Sequence, residues 1–275
     1  MRILSIQDIS CYGQCSLTVA LPILSSLGVE TAILPTAILS THTAGFKGYT
    51  FLDLQHELPK IEAHWNQEGI RFDAVYTGYL GNTDDVQVAL SIAKGKLNRG
   101  PLIVDPAFGD HGKLYPGFDK AYVESMANLV READVLLPNL TEACALLGIP
   151  YVERPSKEEI QEIFAKLHLL GVKTIVLKGI GNNETSTGIA VSHNGEIQYY
   201  SHPKLPRDFH GTGDVFASVF VGGYLQGLSP IASGTLAADF VCDAIKNTID
   251  DPAHGYGVKF EPLLTALGEK LISLK

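Results

Sequence analysis

The segment "DFHGTGDVFASVFVGGYLQG", from Asp208 to Gly227, sets two glycines around a threonine, follows them with an aspartate and runs on into apolar residues. Gly211 and Gly213 let the backbone turn tightly and leave its amides unshielded by side chains. If Asp214 opens a helix, several unpaired N–H groups converge just before it, and the helix dipole adds positive character there. Such a place binds an anion, above all one whose charge grows during a reaction. Asp214 in that setting is either a first-turn capping acid or a proton acceptor beside the anion. The segment alone favours neither.

Other chemistry-bearing residues follow short apolar runs. "RILSI", "ETAILPT", "DAVYTGY", "PLIVDP", "DVLLPN" and "KTIVLKG" read as strands. The stretches "SLTVALPILSSLG", "DDVQVALSIAKGKL", "KAYVESMANLVREA" and "SKEEIQEIFAKLHLLG" between them read as helices, the last opening with the capping box Ser156–Glu159 and ending at Gly171. Strands apolar throughout and separated by helices predict a parallel sheet covered on both faces. Ligands then collect at the carboxyl ends of the strands, which singles out Asp8, Tyr79, Asp105 and Asn139. "TGIAVSHNGEIQYYSH" reads as a hairpin turning at Asn194-Gly195, and "TAILSTHTAGFKGYTF" as a strand-and-loop flap. One domain over residues 1–275 is expected.

Composition narrows the function. The 275-residue chain carries a net charge of −9, which argues against nucleic acid because backbone phosphates demand clustered Lys and Arg. It does not argue against small phosphorylated ligands, which a few local donors hold. No stretch reaches a membrane span, and the N-terminal "MRILSIQDIS" lacks the pattern of a signal peptide. Cys11, Cys15, Cys144 and Cys242 match no zinc spacing and are expected as reduced thiols in a cytoplasmic protein. Neither "AKGKLN" nor "GFKGYT" completes a P-loop, and Gly179-x-Gly181 lacks the third glycine of a dinucleotide fingerprint.

Several residues have two readings. Glu142 in "PNLTEA" is by itself a solvated helix-start acid. Asp105 is a turn former before proline, or with Asp110 one of two acids that need a cation between them and a triphosphate. For Asp110 both readings stay open. Lys178 either reaches phosphates or is simply exposed. Tyr79 either stacks on a ring or half-fills the core, and His42 is given no role.

Taken in order, "LSIQDISCYG", "ILSTHTAGF", "TGYLG", "VDPAFGDHGKLY", "LLPNLTEA" and "FHGTGDVFAS" resemble the ribokinase-like superfamily, and within it the pyridoxal (pyridoxine/pyridoxamine) kinases. The resemblance covers nearly the whole chain. It implies an α/β ribokinase-like fold: a central, mostly parallel sheet flanked by helices on both faces, with a small N-terminal flap. It implies transfer of the ATP γ-phosphate to the hydroxymethyl group of a vitamin B6 ring, with Mg2+ and a monovalent cation such as K+. Asp214 would be the base, and the amides of Gly211, Thr212 and Gly213 the anion hole. Asn139, Lys178, Gly179 and Asp110 would attend the nucleotide, and Asp105 and Glu142 the metal, often through water. Asp8, Ser10, Thr43 and Tyr79 would hold the vitamin. A homodimer is expected.

One departure bears on the substrate. Many pyridoxal kinases carry serine where this chain has Asp8, and a carboxylate there favours a protonated ring nitrogen or an amine. Hydroxymethylpyrimidine kinase of thiamine synthesis is therefore the alternative reading. A non-catalytic vitamin-binding protein would have no use for a base beside a phosphate cradle, and the "DPAFGDHGKLY" segment does not resemble sugar kinases.

Overall fold

The computed structural model describes residues 1–181 and 183–275. Five parallel strands form the centre of one sheet: β1 (Arg2–Ser10), β2 (Glu30–Leu39), β4 (Ala74–Thr77), β5 (Leu102–Val104) and β8 (Val135–Leu136). β9 (Thr174–Lys178) continues it in parallel, and β10 (Ser186–His193) and β11 (Glu196–Pro203) extend it antiparallel. With β3 (Phe51–Asp53) at the far edge, the order is β11-β10-β9-β8-β5-β4-β1-β2-β3. A separate two-stranded ribbon, β6 (Gly109–Asp110) and β7 (Lys113–Leu114), stands beyond the end of β5.

Alternation along the strands divides the apolar side chains between two cores. Val75, Val104, Leu136 and Leu177 face α2 (Leu58–Gln67), α3 (Thr83–Lys94), α4 (Lys120–Val130), α5 (Leu140–Leu147) and α6 (Lys157–Leu169). Ala74, Ile103, Val135 and Val176 face α1 (Leu17–Ser26), α7 (Thr212–Leu225), α8 (Pro230–Thr248) and α9 (Leu264–Leu274). Each buried Val, Leu or Ile contributes about 1.5–3 kcal/mol, so both faces must be covered, and they are. The expected α/β architecture is the observed one. Helices α2, α8 and α9 add to the stretches singled out from sequence.

The hairpin between β10 and β11 closes with the pair His193↔Glu196, and Asn194 and Gly195 take φ of 51° and 81°. Positive φ at both central positions is what a two-residue turn with right-handed strand twist requires. The flap is built differently from a free-standing one. β2 runs past Pro35 to Leu39, a loop follows, and β3 returns beside β2 with Leu39 opposite Phe51. It is therefore an extension of the main sheet's edge. Within β2, Pro35 pairs with Gln7 and Ile38 with Ile9, so Thr36 and Ala37 together oppose Asp8. Proline cannot donate to the ladder, and the resulting bulge re-aims the strands at the position of Asp8.

The capping boxes are formed as the sequence indicates. Ser156 Oγ accepts from Glu159 N (3.2 Å), and Glu159 Oε2 accepts from Ser156 N (2.7 Å). Ser156→Ala should lower the unfolding free energy by about 1 kcal/mol in urea titration while leaving turnover unchanged.

Candidate active site

A cavity of about 950 Å3 runs along the carboxyl ends of β1, β4, β5, β8 and β9 and across the start of α7. It has room for a nucleotide and a small ring together. Every residue assigned a role from sequence lines it: Asp8, Ser10, Thr43, Tyr79, Asp105, Asp110, Asn139, Glu142, Lys178, Gly179 and Gly211 through Asp214.

At its centre, Gly211 precedes α7 with φ 77°. A methyl there would lie 1.7 Å from the Gln14 carbonyl oxygen, so conformation and close approach both demand glycine. Val215 N donates to Gly211 O (3.0 Å), the first bond of the helix, and the amides of Thr212, Gly213 and Asp214 precede it at the cavity. A methyl on Gly213 would meet nothing within 4 Å, and that residue is exposed. The space in front of Gly213 is open to the cavity.

Asp214 stands in the first turn, and its Oδ2 accepts from Ser16 N at 3.1 Å. Removal from water pushes its carboxyl up to about 7; the Ser16 amide opposes that rise, Asp105 and Asp8 add to it, and Lys178 opposes it. The result is a carboxylate whose proton affinity suits proton transfer near neutral pH. The hydrogen bond its carboxylate accepts comes from Ser16 N, on the loop before α1, rather than from an amide of its own helix start.

On one side of Asp214 lie the paired charges. Lys178 Nζ donates to Asp105 Oδ1 at 2.8 Å, with side-chain exposures of only 13% and 3%. Lys178 is therefore not a free surface lysine. Burial would lower its pKa, but Asp105 and Glu142 outweigh that and keep it charged. Burial raises Asp105, and Lys178 opposes the rise. Glu142 is also not a solvated helix-start acid, being 1% exposed. Its Oε2 accepts from Asn139 N (2.9 Å) and its Oε1 from Phe108 N (3.1 Å). Asn139 completes a capping box by accepting from Glu142 N (2.9 Å), and its Nδ2 donates to Gly109 O (2.7 Å). Asn139 thus positions the β6–β7 ribbon that carries exposed Asp110.

Asp8, Ser10, Thr43 and Tyr79 line the same cavity. Asp8 is 4% exposed and accepts from Ser10 Oγ at 3.1 Å. Burial raises its pKa, and the hydroxyls of Ser16 and Ser10 oppose the rise. Tyr79 borders the cavity half-buried, its ring centroid 5.5 Å from that of Phe118, so it is both a core aromatic and a cavity wall. Thr43 lies exposed on the flap loop. His42, given no role from sequence, is buried against the cavity, and its Nε2 donates to Tyr256 O at 2.9 Å. Tyr115 is a second unassigned wall residue. Burial lifts its hydroxyl pKa far above the ordinary value, and Glu142, Asp110, Asp214 and Asp105 all add to that. Tyr115 ends the acidic "DPAFGDHGKLY" segment, which was the available signal. Tyr256 had none, because it meets the flap only through the fold.

The phosphomethylpyrimidine kinase family matches this chain over residues 21–258. A Bacteroides thetaiotaomicron VPI-5482 protein assigned as a phosphomethylpyrimidine kinase and crystallised with pyridoxal is 35% identical, with a TM-score of 0.91 over 97% of this chain and 95% of that one. Pyridoxal kinase from Lactobacillus plantarum is 33% identical, with a TM-score of 0.90 over 97% and 96% of the two chains. Pyridoxal kinase from Leishmania donovani in complex with ADP and pyridoxamine is 25% identical, with a TM-score of 0.85 over 97% and 95%.

The two loop glycines should separate in substitution. Gly211→Ala is expected to lower Tm and abolish activity, because the φ and the Gln14 contact both forbid a methyl. Gly213→Ala should melt like the wild type yet raise KM for the nucleotide, read from paired thermal melts and steady-state kinetics.

Proposed function

This chain belongs to the phosphomethylpyrimidine kinase family, and from that premise we propose that it phosphorylates the hydroxymethyl group of vitamin B6 alcohols with ATP, through the residues gathered at the start of α7. It is a kinase, an ATP:alcohol phosphotransferase. The observation that carries the residue assignment is Asp214, half-buried and pushed up to about 7, beside the helix-start amides and open space of the Gly211–Gly213 loop.

The alcohol lies between Asp8, Ser10, Thr43 and Tyr79 on one side and Asp214 on the other. Asp214 accepts the hydroxyl proton as the alcohol oxygen bonds to the γ-phosphorus and the bond to the ADP oxygen breaks. The amides of Gly211, Thr212 and Gly213 hold the transferring group while its charge is spread over its oxygens. Lys178 and Gly179 border the nucleotide phosphates, and Asn139 holds the ribbon that brings Asp110 toward them.

Mg2+ belongs to the same proposal. Asp105 and Glu142 offer carboxylate oxygens, the hard donors that ion takes. Both Glu142 oxygens already accept amide protons and Asp105 is paired with Lys178, so the set fits a hydrated ion held through water. Among the described residues no group of three or more His, Cys, Asp or Glu could hold a metal directly. When bound, the ion would neutralise charge on the transferring phosphoryl group. K+ as an auxiliary cation, one kinase domain over 1–275 and a cytoplasmic location complete the proposal. No helix among the described residues is long and apolar enough to cross a membrane. A homodimer is supported by the exposed apolar residues Phe51 (47%) and Leu52 (58%) on the sheet's edge strand.

Hydroxymethylpyrimidine phosphorylation is the second reading, favoured by Asp8, whose carboxylate suits an aminopyrimidine. Competing pyridoxal, pyridoxamine, pyridoxine and the aminopyrimidine alcohol in one ATP-consumption assay decides between them. A B6 alcohol with the highest kcat/KM is expected; preference for the pyrimidine would assign the chain to the second reading.

Asp214→Asn keeps the shape and deletes the basicity. Turnover should fall by about 10²–10⁴-fold, with ATP binding retained. Tm should not fall, because a carboxyl whose folded pKa is raised stabilises below its unfolded pKa and loses that contribution as pH rises through about 7. In the wild type, kcat/KM should decline as pH drops through about 7, where the base becomes protonated. Near-normal turnover of purified Asp214→Asn would remove it from the role.

A further inference from the structure

Ser16 lies where the loop after β1 meets α1, and its backbone adopts φ 53° and ψ −130°. Non-glycine residues rarely take such angles, and they persist only where the surroundings over-determine them. The surroundings here do so. Thr18 Oγ1 donates to Cys15 O at 2.8 Å and lies 3.2 Å from Gly13 O. Gln14 N donates to Tyr256 O at 3.2 Å, and Gly211 presses against the Gln14 carbonyl from the other side. Held this way, Ser16 N–H points at Asp214 Oδ2, 3.1 Å away.

The ordinary reason for serine before a helix is absent. Its side chain makes no cap bond to α1, although the residue occupies the cap position. The side chain is instead buried, 4% exposed, and it is the backbone N–H that reaches into the site. The directed bond of this residue toward the site is thus the one from its backbone N–H to Asp214. Without such a tether, two like charges in a shared desolvated space would move apart or neutralise.

We propose that Ser16 is a positioning residue of this site: its constrained N–H fixes Asp214 for proton transfer. The inference rests on Asp214 as base. A chain free to relieve the strain would carry glycine at this position, so the serine marks stability given up for alignment.

The test compares Ser16→Gly and Ser16→Ala in the full chain, with thermal melts, kcat, and KM for ATP and for pyridoxal. Ser16→Ala keeps the amide and loses the hydroxyl. It should leave kcat and both KM values within about twofold of the wild type, because the bond from the amide to Asp214 is retained. Ser16→Gly frees the backbone as well. It should melt no lower than the wild type and lower kcat about tenfold. A protein that is no less stable and yet slower is an outcome that a merely structural serine cannot produce. Wild-type kinetics in Ser16→Gly, or activity lost only in step with a falling Tm in both variants, overturns the proposal. Those results beside an inactive Asp214→Asn would reject Ser16 alone, whereas an active Asp214→Asn would reject the base as well.

Discussion

A carboxylate that is to accept a proton near neutral pH must leave water without being neutralised by a close cation, and the site is arranged around that constraint. Asp214 is desolvated, and Lys178, which could quench it, is committed to Asp105 at 2.8 Å. The amide of Ser16 gives Asp214 one directed hydrogen bond, enough to orient it without cancelling the effect of burial. Positive character for phosphate comes from helix-start amides, which carry no titratable charge. A carboxylate of raised proton affinity and a cluster of helix-start amides can therefore stand within one turn of each other.

The same constraint explains the polar bed beneath the site. On the face of the sheet that meets α7, the positions Ser5, Gln7 and Tyr76 are fully buried, as is Ser218 on the helix itself. Ser218 Oγ donates to the Asp214 carbonyl at 2.7 Å, and Gln7 Nε2 to Ser5 Oγ at 2.9 Å. Gln7 Oε1 and the Tyr76 hydroxyl lie in this bed without hydrogen-bond geometry to a partner, and Gly78 is glycine because a methyl would come within 2.5 Å of Gln7 Oε1. Under-satisfied buried groups of this kind cost stability.

Around the ring site, closure comes from the sheet's own edge. The bulge opposite Asp8 bends β2, and β3 brings Tyr49 and Phe51 to the cavity. Tyr256 then joins elements distant in sequence, since its carbonyl accepts from both Gln14 N and His42 Nε2. The loop that sets Ser16 and the loop that carries Thr43 are thereby fastened to one point.

Much of this was legible in the chain itself. Apolar runs that never alternate called for a sheet covered on both faces, because a strand buried on both sides cannot expose polar positions. The Ser156 and Asn194-Gly195 signals act over a few residues, and local sterics and hydrogen bonds were enough to place them. The acids Asp8 and Asp105 were recoverable because each follows an apolar run directly, where a parallel sheet collects its ligands, and Asp214 because two glycines and a threonine stand just before it. What the chain could not disclose were relations between distant residues. Glu142 reads as a solvated acid until two amides and the core enclose it, and Lys178 reads as exposed until Asp105 meets it. The contacts of Ser16 with Asp214 and of His42 with Tyr256 span sequence separations of 198 and 214 residues. Residue type and local spacing determined which groups could do chemistry. Only the tertiary structure decided their proton affinities and their partners, because both depend on how much water and which charges the rest of the fold leaves around them.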